Sequence, residues 1–304
     1  MSRRVQFDRY GPVDVLHVAE VPRPSAGEGQ VFVEVAAAGI NPGEIAVRNG
    51  AMEAMFPATF LSGQGSDFAG RVVETGPGVT GFAPGDEVMG WADRRSAQAD
   101  HVLSDPRHLI AKPSALDWIR AGALWAIGVT SFSAFRAVAI RARDVVAVSS
   151  ATGGVGGLAA QLARRAGARV LGIASAGHAD LLRVIGVEPV AYGDGLGDQL
   201  CSLAPNGIDA FVDAHGGGYV DLAVALGRAP PDRYHHRLRR RSASWREDRR
   251  QPAGRRSRRP RRYGRARRLG LTCRSPRSTR WNRCVPPTPS WRAAMSTARS
   301  CCLP

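Results

Sequence analysis

The chain has 304 residues, room for about two domains, and carries 42 basic against 26 acidic side chains, a formal charge of +16. That charge is confined to one end: residues 228–304 hold 24 Arg, no Lys and only Asp232, Glu247 and Asp248, a net of +21, which leaves residues 1–227 at −5. Cys201 is the only cysteine before residue 228, so a disulfide framework or a four-thiolate zinc site is excluded from that body, in keeping with a reducing, cytoplasmic compartment.

The N-terminus, Met1-Ser-Arg-Arg followed by strand-like residues, lacks the apolar core of a signal peptide. Gln30 to Ala38 alternates apolar and polar residues, as a half-buried strand does, and Phe68 to Glu74 and Glu87 to Trp91 are further short strands. Pro and Gly at 11–12, 22–24, 77–78 and 84–85 mark turns between them, so residues 1–118 are predicted to form a small β-barrel. Ala121 to Ile140 is the most apolar window. Thr130, Ser131, Ser133 and Arg136 interrupt it, which predicts a buried helix and no membrane span.

From Ala142 the pattern becomes β-α-β-α-β. Val145 to Ser150 is a continuous apolar run suited to a parallel strand covered on both faces. A helix follows, with Val155, Leu158, Ala159, Leu162 and Ala163 on one stripe and Gly167 placed to close it. Arg169 to Ala174, Glu188 to Tyr192 and Asp209 to Asp213 are the next strands, with helices at Ala179 to Ile185 and Tyr219 to Leu226. The alternation predicts a doubly wound parallel sheet over residues 119–227.

Between the first of these strands and its helix lies Ala151-Thr152-Gly153-Gly154-Val155-Gly156. This is the dinucleotide fingerprint with Ala151 in the first glycine position. Gly153 lets a backbone approach a pyrophosphate, Gly156 lets helix and strand pack closely, and the helix N-terminus offers free N–H groups. The second strand ends Ile173-Ala174-Ser175-Ala176-Gly177-His178, without the acid that would bind the 2′-hydroxyl of NAD. NADP(H) is therefore the expected cofactor, with Ser175 and His178 as contacts; an exposed loop histidine is the other reading of His178.

With these residues in view, residues 1–227 resemble the medium-chain dehydrogenase/reductase superfamily, in its zinc-independent quinone oxidoreductase branch. The matching segments are Ala38 to Glu44, Gly65 to Gly70, Val79 to Gly90 and the glycine cluster, in the family's order. The resemblance implies an α/β protein: a GroES-like barrel over 1–118, an NADP-binding Rossmann domain over 119–227, and an active site between them. Zinc alcohol dehydrogenases carry Cys where this chain has Asn41 and His-Glu where it has Ser66-Asp67, so no metal is expected. Hydride transfer to a quinone or enone needs no Lewis acid.

The resemblance makes Asn41 the first candidate for a polar contact at the substrate oxygen, with Glu44 and Arg48 next; a solvated helix face is the other reading of those two. Thr130 matches a position beside the nicotinamide and Tyr192 one near the adenine. Gly216 lies at the carboxyl edge of the sheet, where ligands bind in such folds. A small-molecule quinone or enone is the implied partner, and relatives pair as homodimers through a sheet edge.

The family would continue past Gly227 with further strands, but residues 228–304 show no helical or strand period. Three readings compete: a basic nucleic-acid arm, a disordered linker, and an out-of-frame translation. With G/C-rich codons, Arg280 to Cys302 read from the third base of the preceding codon permits PLEPVRAAYAELARRHVHGKIVL, an amphipathic helix and a strand. Frameshift is the preferred reading, nucleic acid being bound only nonspecifically, and the sheet is expected to be incomplete after residue 227.

Overall fold

The structure is a computed structural model and describes residues 1–92, 94–216 and 218–227, together with the backbone of 234–236. These fall into two compact units that divide between Val129 and Thr130. Apart from 234–236, the Arg-rich tail lies outside the described residues.

The first unit is antiparallel β-structure. Its strands are β1 (Ser2–Phe7), β2 (His17–Val21), β3 (Val31–Ala38), β4 (Ser62–Gly63), β5 (Asp67–Thr75), β6 (Glu87–Trp91), β7 (His101–Ser104) and β8 (Leu109–Ala111). They form one sheet in the order β2-β1-β4 and another in the order β7-β3-β5-β6-β8. A short helix, α1 (Pro42–Arg48), follows β3 with proline in its first turn, where the missing N–H costs nothing. The core gathers Val31, Val33, Phe68, Val72, Val88 and Leu109.

β3 does not keep the alternation its sequence suggests: Val31, Phe32 and Val33 are all buried. A register shift between Phe32 and Val33 puts neighbours on the same side, and the Phe32 ring is covered by His101 stacked at 5.0 Å and by the Arg23 guanidinium at 5.2 Å.

Helix α2 (Trp118–Ala137) covers the predicted apolar window except its last three residues, 138–140. No helix among the described residues is long and apolar enough to cross a membrane. The second unit then runs β9 (Val145–Ser149), α3 (Gly154–Arg165), β10 (Arg169–Ala174), α4 (Ala179–Val184), β11 (Glu188–Ala191), α5 (Leu196–Leu203), β12 (Ala210–Asp213), α6 (Tyr219–Leu226) and β13 (Tyr234–His236). All pairs are parallel, in the order β11-β10-β9-β12-β13. This is the doubly wound order from its third strand to its fifth.

Successive β9 residues face different layers. Val146 and Val148 pack with Ala159, Ala160 and Ala163 of α3, while Ala147 packs with Leu171, Leu200 and Phe211 on the other side. A strand covered on both faces must be apolar at every position, which is why it reads as an unbroken run. Gly167 closes α3 as predicted, at φ +84°.

A short strand, Tyr234–His236, follows Gly227 although the sequence there shows no strand period. It pairs with β12 in the register Phe211 with Tyr234 and Asp213 with His236. Ladder bonds use backbone groups that nearly every sequence offers, so a short edge strand needs no hydrophobic period. No sixth strand is present among the described residues.

Candidate functional site

In the second unit the candidate residues converge on the carboxyl edge of the sheet. β9 ends in Ser149, the chain turns through Ser150 at φ +51°, and α3 starts at Gly154 with Gly153 as its N-cap and no side-chain cap. The first turn of α3 therefore keeps N–H groups available to an anion. A Cβ on Gly153 would stand 2.8 Å from Ser150 Oγ, and one on Gly156 would stand 2.7 Å from the Ser149 carbonyl oxygen and closer still to that of Ser150. Gly156 is thus fixed by backbone approach, whereas the close contact at Gly153 is with a side-chain hydroxyl. The cradle suits a dinucleotide pyrophosphate: its backbone is bare at Gly153 and its helix end is uncapped.

The flanking candidates assemble at the same edge. Thr152 is exposed on the turn. Ser131, beside Thr130 on α2, is fully buried and donates to the Val155 carbonyl at 2.9 Å, tying α2 to the first turn of α3. Ser175 and His178 are joined at 2.8 Å through Oγ and Nδ1, at the end of β10. Tyr192, past the end of β11, is 59% exposed. Gly216, at φ +89°, donates its N–H to Asp213 Oδ1 at 2.8 Å.

Sequence reasoning missed the pair that holds this edge together. Ser149 Oγ donates to Asp213 Oδ1 at 2.6 Å and accepts the N–H groups of Ala214 at 2.9 Å and His215 at 3.1 Å. The His215 N–H also reaches Asp213 Oδ1, at 3.0 Å. The residue that launches the glycine turn is thereby bonded to the turn after β12, 64 residues away. Ser149→Ala should cost about 2 kcal/mol, because the Ala214 N–H and a share of the Asp213 carboxylate lose partners inside the protein. Urea unfolding checks this, and an unchanged midpoint would show that the pair contributes nothing.

In the first unit Asn41 caps α1 without a side-chain cap bond and is half-buried, whereas Glu44 and Arg48 are 5% and 8% exposed. The solvated-face reading of those two residues is therefore wrong. Glu44, Val47 and Arg48 are the buried residues of α1, and the spacing of four puts Glu44 and Arg48 on the same inward face.

Glu44 Oε1 accepts from Asn41 Nδ2 at 3.3 Å and from the Ser66 N–H at 3.2 Å, and Oε2 accepts from Gln98 Nε2 at 3.3 Å. Burial pushes its carboxyl above the usual range, partly offset by these donors. Asp67, at the start of β5, is wholly buried; Oδ2 accepts the Ala126 N–H at 3.0 Å and Oδ1 has no hydrogen-bond partner. Burial raises Asp67 to about 7, against the Ala126 N–H and the nearby Asn41 amide, with the Glu44 charge adding to the rise. Arg48 Nε, too, has no hydrogen-bond partner. Ser66 and Asp67 lie in the segment Gly65 to Gly70 that carries the family resemblance, but nothing local marks Gln98, which only the fold brings to Glu44.

Comparison with known proteins agrees with this architecture. Residues 27–148 match the family described as "Alcohol dehydrogenase GroES-like domain". The chain is similar to quinone oxidoreductase of Rattus norvegicus, 34% identical over 181 residues, covering 57% of this chain and 53% of the rat protein. The chain thus spans about half the length of that relative, and a far smaller share of the polyketide synthases it also matches. Among solved structures, the quinone oxidoreductase of Coxiella burnetii superposes with a TM-score of 0.65 at 31% identity, covering 74% of each chain. The Escherichia coli quinone oxidoreductase complexed with NADPH superposes with a TM-score of 0.67 at 24% identity, over 77% of this chain and 71% of that one, which is a likeness of fold.

Proposed function

We propose that this chain, which belongs to the medium-chain dehydrogenase/reductase family and is quinone-oxidoreductase-like, transfers a hydride from NADPH to a quinone or other α,β-unsaturated carbonyl compound without zinc. The observation that carries the cofactor half is the edge of the parallel sheet. A bare glycine turn and an uncapped helix stand there, and a hydroxyl–imidazole pair, Ser175 with His178, occupies the place where an acid would select NAD.

The residues of the edge divide the work. The turn from Thr152 to Gly156 would hold the pyrophosphate through backbone N–H groups. With Nδ1 taken up by Ser175, the other ring nitrogen of His178 is left for a 2′-phosphate. Thr130 is assigned to the nicotinamide end, Tyr192 to the adenine end, and Gly216 to the wall held by Asp213. When bound, the nicotinamide supplies the hydride. On the other unit Asn41 and Ser66 stand where a zinc enzyme needs a thiolate and an imidazole, which supports chemistry without a metal. The substrate is then activated by its own conjugation and by polar contacts.

The test is a fluorescence titration of the full chain with NADPH and with NADH. NADPH should bind at least tenfold more tightly, and His178→Ala should cut that preference to a few-fold, the loss of one charge-assisted contact to phosphate. NADH binding as tightly as NADPH would overturn the cofactor assignment. Failure to oxidise NADPH with 1,4-benzoquinone, in a chain that binds NADPH tightly and saturably, would overturn the reductase assignment. We assign residues 228–304 to a reading-frame slip and expect turnover to be weak for that reason. Resequencing the locus checks this, and a confirmed frame would refute it.

A further inference from the structure

In the first unit's polar cluster Glu44, Gln64, Ser66 and Asp67 are each at most 5% exposed, whereas Asn41 and Gln98 are half-buried and reach solvent. The way the cluster holds its amide decides what a ligand meets. Glu44 Oε1 accepts a hydrogen bond from Asn41 Nδ2 at 3.3 Å, and the Asp67 carboxyl lies on the same side. An ionised carboxylate accepts and does not donate, so above about pH 7, where Asp67 has released its proton, the amide's NH2 is the end that faces the pair; the reverse orientation would then set oxygen against oxygen. Asn41 Oδ1 does not cap α1, and it has no partner among the described residues.

We propose that Glu44 and Asp67 are positioning residues that turn the NH2 of Asn41 inward and present its carbonyl oxygen to the ligand, so that this position selects an O–H or N–H donor. The inference rests on the reductase reading and changes it. An amide oxygen backed by two carboxylates cannot stabilise negative charge growing on a substrate oxygen, so Asn41 is not the donor that a quinone carbonyl needs. It is instead complementary to the reduced side of the reaction, the hydroxyl of a hydroquinone. A site of this polarity holds the product more tightly than the substrate. The donor that activates the carbonyl must come from elsewhere.

The same chemistry could come from a ribose hydroxyl or carboxamide of the cofactor, and the experiment separates the two. Binding of 1,4-hydroquinone and of 1,4-dimethoxybenzene, which matches its outline but cannot donate, is measured by calorimetry at pH 8 with the full chain. A preference for hydroquinone of about fivefold or more is expected, the worth of one neutral hydrogen bond. Asn41→Leu, which keeps the volume and removes the acceptor, should bring the ratio to unity. Asp67→Asn supplies a buried N–H that competes for the same oxygen, and should lower the ratio in a protein that still folds. A merely structural role would weaken both ligands together and leave the ratio unchanged.

If the wild-type ratio is unity, or survives Asn41→Leu, the proposal fails. A ratio of unity together with an NADPH affinity that falls fivefold in Asn41→Leu would assign the oxygen to the cofactor and overturn the substrate assignment. Because these are equilibrium measurements, they stand apart from the benzoquinone assay, whose failure would strike the reductase reading alone.

Discussion

Gly156→Ala should destabilise the nucleotide-binding unit by at least about 3 kcal/mol and remove NADPH binding. The added methyl would stand 2.7 Å from the Ser149 carbonyl oxygen and closer to that of Ser150, both of them backbone atoms. A flexible side chain could swing away, but these carbonyls belong to the last residue of β9 and the first of the turn after it. There Ser149 is pinned through its hydroxyl to Asp213, Ala214 and His215. Relief must therefore come from α3 moving outward, which opens the packing of Leu158, Ala159, Ala160, Leu162 and Ala163. Gly157→Ala is the internal control. Its methyl would meet the Ala151 carbonyl oxygen at 3.2 Å, a contact that a few tenths of an ångström relieve, while alanine gains about 1 kcal/mol of helix propensity. That variant should melt within a few degrees of the parent. Thermal unfolding of both decides the matter, and equal melting temperatures would show that the helix does not depend on close approach at Gly156.

The contrast between neighbouring glycines shows what a sequence can disclose. The spacing of Gly153 and Gly156 between an apolar run and an amphipathic stripe is local, and the local rules of strand, turn and helix all point the same way there. The strands at 145–149, 169–174 and 87–91 and the helix at 219–226 were legible for the same reason. What was not legible depends on contacts made across long stretches of chain. Ser149 meets Asp213 only once β9 and β12 are paired. Glu44 on α1 looks like any residue of a solvated helix until β5 and the Gln98 loop close over it. Phe32 loses its alternation to a bulge that no residue type announces. The strand at 234–236 is recruited by the open edge of β12 and not by its own pattern.

Acidification from pH 7 toward pH 4 should stabilise the barrel unit, the opposite of the usual response of a protein to acid. Asp67 is completely buried, with one carboxyl oxygen unpartnered, and burial raises it to about 7 from 3.8. Between those two values the folded chain holds a proton that the unfolded chain has released. Stability must then fall as pH rises through this window and level off above about 7. A difference of that size corresponds to an order of 4 kcal/mol. Glu44 is displaced in the same direction, also by burial, and adds to the slope. The carboxyls lowered to about 2, Asp100 and Asp105, are exposed partners of arginines, and their stabilisation is lost only below the window. Asp67→Asn keeps the shape and removes the charge, so it should flatten most of the dependence and raise stability at pH 8, where the parent must bury a carboxylate. Glu44→Gln added to it should remove the rest of the carboxyl contribution, leaving the opposite slope of His101, whose imidazole is held below its ordinary range by burial. Urea midpoints at pH 5 and pH 8 for the parent, the single variant and the double variant give the answer. A parent that weakens on acidification, or a double variant that keeps the parent's slope, would show that these carboxyls are ionised and satisfied in the folded protein.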